Sequence, residues 1–291
     1  MLEASQKKNR YASAPRNADW TIDQNWSSYS PEEHDRWNRL FARQENLLPG
    51  RACDAFLAAK DRLQLSRAEI PDFAELSDRL AAFTGWRIAP VAGLIPDDVF
   101  FDHLASRRFP AGAFIRPECE LDYLSEPDVF HDIFGHVPLL ADPVYARFLE
   151  AYGKGGQRAL ELGRLHNLAR LYWYTVEFGL IATRDGLRIF GAGIMSSPGE
   201  AIFSLEDSSP NRVAFDLARI MCTKYIISDY QQTYFVVESF EQLLDECYQD
   251  FGALYERLSL LPDIEAHALA PGDRVLTRGD FHYFREKGAA A

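Results

Sequence analysis

Residues 128–139 read DVFHDIFGHVPL, two histidines set among valine, isoleucine, leucine and phenylalanine. His131 and His136 lie five positions apart, with Gly135 just before the second and Pro138 two residues after it. On a continuous α-helix a five-residue offset turns about 140°, so rings at this spacing point apart. Glycine stops a helix readily, and proline opposes its continuation. The stretch therefore predicts a helix that starts after Ser125 and Pro127, runs to Gly135 and breaks there. The break lets His136 swing back toward His131. Such a pair suits a metal ion, unlike the one-face i, i+4 pair of HExxH. Two helix-end histidines bonded to backbone carbonyls would show the same spacing, which alone does not decide.

A third group shifts the balance. Glu177 lies in LARLYWYTVEFGLI (168–181), a stretch otherwise rich in leucine, tyrosine, tryptophan and phenylalanine. A carboxylate buried there without a partner costs several kcal/mol, so it pairs, protonates or binds a cation. Arg170, Arg184 and Arg188 are the alternative partners. Two histidines and one carboxylate are the facial set of non-haem Fe(II) oxygenases, with positions open for O2 and substrate. Zinc with a hydrolytic water is the rival metal.

The chain has 291 residues, 47% hydrophobic, enough for a large core. Its net charge of −12 disfavours a nucleic-acid binder. No apolar run suggests a membrane span, and MLEASQKKNR lacks a secretory h-region. Cys53, Cys119, Cys222 and Cys247 are scattered, with no CxxC pair, so a reducing cytoplasm is expected.

Outward from the centre, the pattern is mainly α with a few short β-strands and no βαβ alternation. Residues 1–29 form a polar arm anchored by Trp20 and Trp26. Ser30, Pro31 and Glu33 start a helix with a capping box. Helices are expected at 51–65 and at 72–84, the latter ending on Gly85. WRIAPVAGLIP (86–96), with two prolines and a glycine, reads as a lining loop. Residues 97–109 read as helix and 115–127 as irregular. Asp142 and Pro143 begin a long helix expected to end in the glycines at 153–156. Residues 166–183 read as helical, 187–193 and 233–237 as strands. Ser239 and Gln242 cap EQLLDECYQDFGALYERL. Residues 30–275 are expected to be the catalytic unit, and 276–291 a C-terminal tail.

Five blocks in order are similar to the pterin-dependent aromatic amino acid hydroxylases. They are PVAGLIP (90–96), SEPDVFHDIFGHVPLLAD (125–142), LYWYTVEFGL (171–180), GAGIMSSPGE (191–200) and VVESF (236–240). The resemblance spans roughly residues 72–275 and implies that family's catalytic-domain fold. It implies Fe(II) held by His131, His136 and Glu177, with tetrahydropterin and O2 as cosubstrates. It places Val91, Gly93, Ile95, Phe100, Asp132 and Tyr172 at the pterin, Asp132 standing where animal members carry a glutamate. It places Arg116 on the substrate carboxylate, and Pro127, Trp173 and Ser196 in the pocket wall. Tyr172 falls beside both iron and pterin and is expected, with Glu177, to act in catalysis. Leu124 replaces a threonine of the animal pattern.

The planar fork of Arg116 suits a carboxylate, and Trp173 and Phe100 offer flat apolar faces. His103 and His166 match nothing in the family. The implied reaction is hydroxylation of phenylalanine to tyrosine. The same chemistry on tryptophan or at the meta position of phenylalanine is the alternative. A zinc hydrolase lacks a supporting GxSxG or HExxH motif, and a non-catalytic binding module would not need the ligand set. The partners expected are small molecules, without nucleic acid or membrane. Animal members carry an N-terminal regulatory domain and a C-terminal tetramerisation helix; with neither pattern here and no long heptad repeat after the core, the resemblance implies a bare catalytic domain and a monomer.

Overall fold

The computed structural model describes residues 9–122 and 126–289. Leu124 and the helix start expected at Ser125 lie outside them, as do the first eight residues of the arm. Ser30 accepts the Glu33 N–H while the Glu33 carboxylate accepts the Ser30 N–H, and the box opens a helix over Pro31–Leu47. The helices Asp54–Arg62 and Phe73–Thr84 follow, the second ending on Gly85 in the left-handed region at φ 78°. The arm lies along this body. Trp26 donates its indole N–H to Ile70 O, and Thr21 forms a bridge with Val91.

The lining loop expected at 86–96 is half strand. Strand β1 (Arg87–Val91) pairs in parallel with β2 (Arg108–Gly112), joined by the helix Asp97–Ala105. This is a βαβ unit, which the sequence pattern did not suggest. Pro90 misled because proline is excluded from central strands, yet β1 is paired on one side only, apart from the arm's single bridge.

The helix Pro143–Glu161 does not end in its glycines but runs through them. Gly153 and Gly156 face the Asp97–Ala105 helix; a Cβ on Gly156 would enter the Phe101 ring, and one on Gly153 would meet the Ala105 backbone. Close approach of two helices, not helix termination, is their use.

A five-stranded sheet has the order β4-β3-β6-β5-β7. Its strands are β3 (Leu180–Thr183), β4 (Gly186–Ile189), β5 (Asn211–Ala214), β6 (Thr233–Val237) and β7 (Val275–Thr277). The helical reading to 183 is thus corrected. The turn ends at Glu177, and Gly179 follows where a side chain would have no room between Phe190 and Thr175 O. The strand expected at 187–193 stops at Ile189, and Ala192–Met195 forms a helical turn. EQLLDECYQDFGALYERL divides into helices Phe240–Glu246 and Phe251–Leu258, the second capped by Asp250. The segment from 276, expected as a tail, contributes to β7 and a closing helix from His282.

The core includes an aromatic stack that explains the opening motif. Phe130 and Phe134 stack at 4.8 Å, Trp37 meets Phe130 at 5.5 Å, and Phe41 meets Phe134 at 5.0 Å. The apolar residues of DVFHDIFGHVPL bury one face of a helix, and the histidines occupy another.

Candidate active site

The helix carrying the histidines is a π-helix, Phe130–His136, unbroken at Gly135. Its i→i+5 pattern, seen in the Val137 N–H to Asp132 O bond, brings residues five apart onto neighbouring turns. That widening, rather than a break, turns His136 toward His131. Gly135 is required for packing, since a Cβ there would lie 2.9 Å from Ala192 O. Glu177 ends a second π-helix, Trp173–Glu177, closed by the Phe178 N–H to Trp173 O bond of 2.9 Å.

These two wide turns face each other. His136 Nε2 lies 3.2 Å from His131 Nε2, and Glu177 approaches the two rings at 3.1 and 3.5 Å. One ligand atom from each of the three residues fits within a 4.8 Å group. Arg170 pairs instead with Asp263 and Arg188 bonds backbone carbonyls, while the ion pairs of Glu177 among the described residues are with His131 and His136.

The contacts of His131 test whether this set suits a cation. The Ser196 hydroxyl donates to Ala192 O at 2.9 Å and so accepts from His131 Nδ1, also at 2.9 Å. With its proton on Nδ1, His131 turns a lone pair on Nε2 toward His136 and Glu177. A lone pair on His131, a second imidazole and a carboxylate, with one ligand atom from each within 4.8 Å of the others, form a donor set that a divalent metal satisfies. Burial would raise the Glu177 pKa, but the two imidazoles hold it well below the usual carboxylate range.

Asp128, which the sequence reading overlooked, organises the surroundings. It is fully buried and accepts from Arg116 Nε and Nη2, both at 2.8 Å, from the Arg116 N–H and from the His131 N–H. One carboxylate thus fixes both the start of the π-helix and the guanidinium of Arg116. The sequence shows only an aspartate three residues before a ligand histidine, which resembles any helix-start aspartate. Phe109, also overlooked, lies 4.9 Å ring to ring from His136.

The remaining expected residues divide by position. Tyr172 lies between Phe100 (5.8 Å) and His136 (6.2 Å), ring to ring. Asp132 is buried and accepts the Gly112 N–H at 2.7 Å, and burial pushes its pKa up to about 6. Val91 is buried at the end of β1, next to the partly exposed Gly93 and Ile95. A Cβ at Gly93 would press on the Glu126 carboxylate, which accepts the Leu94 N–H. Trp173 is half-buried, stacked on Tyr225 at 4.4 Å. Pro127 is exposed beside Asp128. His103 is structural: its Nε2 bonds Asp19 O of the arm at 2.8 Å.

Comparison with known proteins bears on the whole arrangement. Residues 6–259 match the biopterin-dependent aromatic amino acid hydroxylase family. A phenylalanine-4-hydroxylase of Caulobacter vibrioides is 59% identical over 273 residues, covering 94% of this chain and 93% of that one. One from Chromobacterium violaceum is 56% identical, covering 90% of this chain and 88% of its own. The crystal structure of the Chromobacterium violaceum phenylalanine hydroxylase bound to cobalt superposes with a TM-score of 0.91 at 54% identity, covering 94% of this chain and 98% of that one. With its metal-ligand triad assembled in this fold, the chain belongs to the biopterin-dependent aromatic amino acid hydroxylases.

Proposed function

We propose that the protein is a phenylalanine 4-monooxygenase, converting L-phenylalanine to L-tyrosine with O2 and a tetrahydropterin at a non-haem Fe(II) site. The observation that carries the reading is the convergence of His131, His136 and Glu177 within 4.8 Å, beside a buried, oriented arginine. His131, His136 and Glu177 hold the metal. Iron, when bound, supplies the centre at which O2 is activated with electrons from the pterin.

The chain's own groups bind, orient and exclude water. Arg116 receives the amino acid carboxylate. Asp128 takes the Nε–H and one Nη2–H of that guanidinium, so the edge left to a ligand is Nη1 with the second Nη2–H. Pro127, Trp173 and Ser196 border the ring pocket, and Ser196 also holds the His131 tautomer. Val91, Gly93, Ile95 and Phe100 receive the pterin, with Asp132 and Tyr172 at its edge nearest the metal. The aromatic ring of Tyr172 shields the ligand side from water and orients the two substrates with respect to each other, and Glu177 keeps the metal site able to exchange water.

The catalytic unit takes in residues 30–275 together with the rest of β7 and the closing helix, and the protein acts as a cytoplasmic monomer. No helix among the described residues is long and apolar enough to cross a membrane. The test is purified protein with Fe(II), tetrahydropterin and O2, offered phenylalanine, tyrosine or tryptophan in turn, with products resolved by ring position. Tyrosine from phenylalanine is expected. A meta-hydroxylated product, or turnover of tryptophan alone, would overturn the substrate assignment while leaving the metal centre intact.

A further inference from the structure

The indole of Trp173 is held on its edge by one side chain. Its Nε1–H donates to Gln231 Oε1 at 2.8 Å. Gln231 is 2% exposed, and its amide cannot rotate freely, because Nε2 donates to Ile226 O at 2.9 Å and to Asp229 O at 3.3 Å. Both amide hydrogens face carbonyls, so the oxygen must face the indole. The Gln231 backbone is also anchored: its N–H donates to Glu200 Oε1 at 3.2 Å, and the same oxygen accepts a hydrogen bond from the Tyr234 hydroxyl at 2.7 Å. On its face the indole stacks against Tyr225 of the same loop, at 4.4 Å and 18°. Tyr174, next along the π-helix, binds that loop through Lys224 O at 2.6 Å. The turn that ends in Glu177 and the loop 224–231 are thus joined at Trp173.

We infer that Gln231 is a positioning residue for substrate selection: as a fixed acceptor, backed by Glu200 and Tyr234, it sets the plane of the Trp173 indole against the substrate ring. This rests on Trp173 bordering the amino acid pocket. Gln231 itself touches neither substrate nor metal. An indole released from Gln231 keeps its packing on Tyr225 and Phe178 but loses the bond that fixes its edge, which loosens the fit to phenylalanine and admits larger rings. The pterin, bound on the β1 side, is unaffected.

The test is a double-mutant cycle between Gln231→Leu and Trp173→Phe in the iron-loaded enzyme. Phenylalanine 4-hydroxylation by the wild type is measured first; its failure would overturn the underlying reading rather than this one alone. Gln231→Leu is expected to raise KM for phenylalanine about fivefold, in line with loss of one neutral hydrogen bond. It should lower the phenylalanine-to-tryptophan ratio of kcat/KM and leave the pterin KM unchanged. In the Trp173→Phe background, where no indole N–H exists, the same substitution should change neither quantity. KM and the selectivity ratio do not depend on the fraction of molecules folded, and Gln231→Met, of equal length, serves if the leucine variant fails to fold. Equal effects in both backgrounds, or none in the wild-type background, would overturn the proposal. So would a Trp173→Phe single variant with wild-type phenylalanine KM and selectivity.

Discussion

Asp128→Asn isolates the group that connects fold and site. In the protein the carboxylate accepts four hydrogen bonds, from Arg116 N, Nε and Nη2 and from the His131 N–H, at 2.8 to 3.0 Å. It is 0% exposed, and Arg116 is 3% exposed, so solvent does little to screen the pair. Asparagine keeps the shape and one acceptor oxygen, but presents an amide to the guanidinium and leaves its charge unpaired. Breaking a buried pair from one side costs about 3–5 kcal/mol. In a chain of this size that corresponds to a fall of about 10 °C in the unfolding midpoint. Arg116→Met leaves the carboxylate stranded and should cost a similar amount. The double variant leaves no orphaned charge. It should therefore be more stable than the sum of the single losses predicts, with a coupling of at least about 2 kcal/mol. The assay is urea or thermal unfolding of metal-free protein, which removes any contribution from iron binding. Strict additivity, or an Asp128→Asn variant within about 1 kcal/mol of wild type, would refute the view that this pair is energetically coupled.

Alanine at His131, His136 or Glu177 should abolish stoichiometric iron binding and turnover with the fold retained, as read by metal analysis and circular dichroism. Ser196→Ala releases His131 Nδ1 and should weaken metal affinity about 10–100-fold, measured by competition with a chelator. Arg116→Lys keeps charge without the planar fork and should raise KM for phenylalanine about tenfold or more, in steady-state kinetics. Burial pushes the Glu200 carboxyl up to about 7 from its ordinary 4.5. A raised folded-state pKa stabilises below the unfolded value and is lost as pH rises to the folded one. Stability should therefore fall between about pH 4.5 and 7, and Glu200→Gln should flatten that part of the midpoint–pH curve.

The sequence made the caps legible because they are local. Ser30 with Glu33, Gly85 and Asp142 act within one turn of the residues they terminate, so the chain alone displays them. It also displayed the ligand types, since a carboxylate within LYWYTVEFGL and imidazoles among phenylalanines are conspicuous. What it hid depends on contacts distant in sequence. Gly153 and Gly156 resemble a helix end until the Phe101 helix is laid against them, and Pro90 resembles a loop until β1 is seen to lie at an edge. Asp128 resembles any helix-start aspartate until Arg116 closes on it.

The π-helices are the deepest case, because no residue pattern announces an i→i+5 turn. The sequence reading required some departure from α geometry between His131 and His136, and assigned it to the glycine and proline, the familiar breakers. The structure distributes the departure over the whole of Phe130–His136. The difference has consequences for the chemistry. A broken helix would leave His136 on a loop, with its backbone groups free to move. The π-turn keeps it within a continuous hydrogen-bonded element whose other face is clamped by Phe130 and Phe134 against Trp37 and Phe41. Glu177 is presented by the same device on the opposing helix. Two wide turns, each less favourable than an α-turn in isolation, are held by the aromatic core on one side and by the converging ligands on the other. The apolar company of the histidines is thus the means by which their geometry is kept. A metal bound there meets ligands fixed before it arrives, and filling the site should add to stability rather than create the fold.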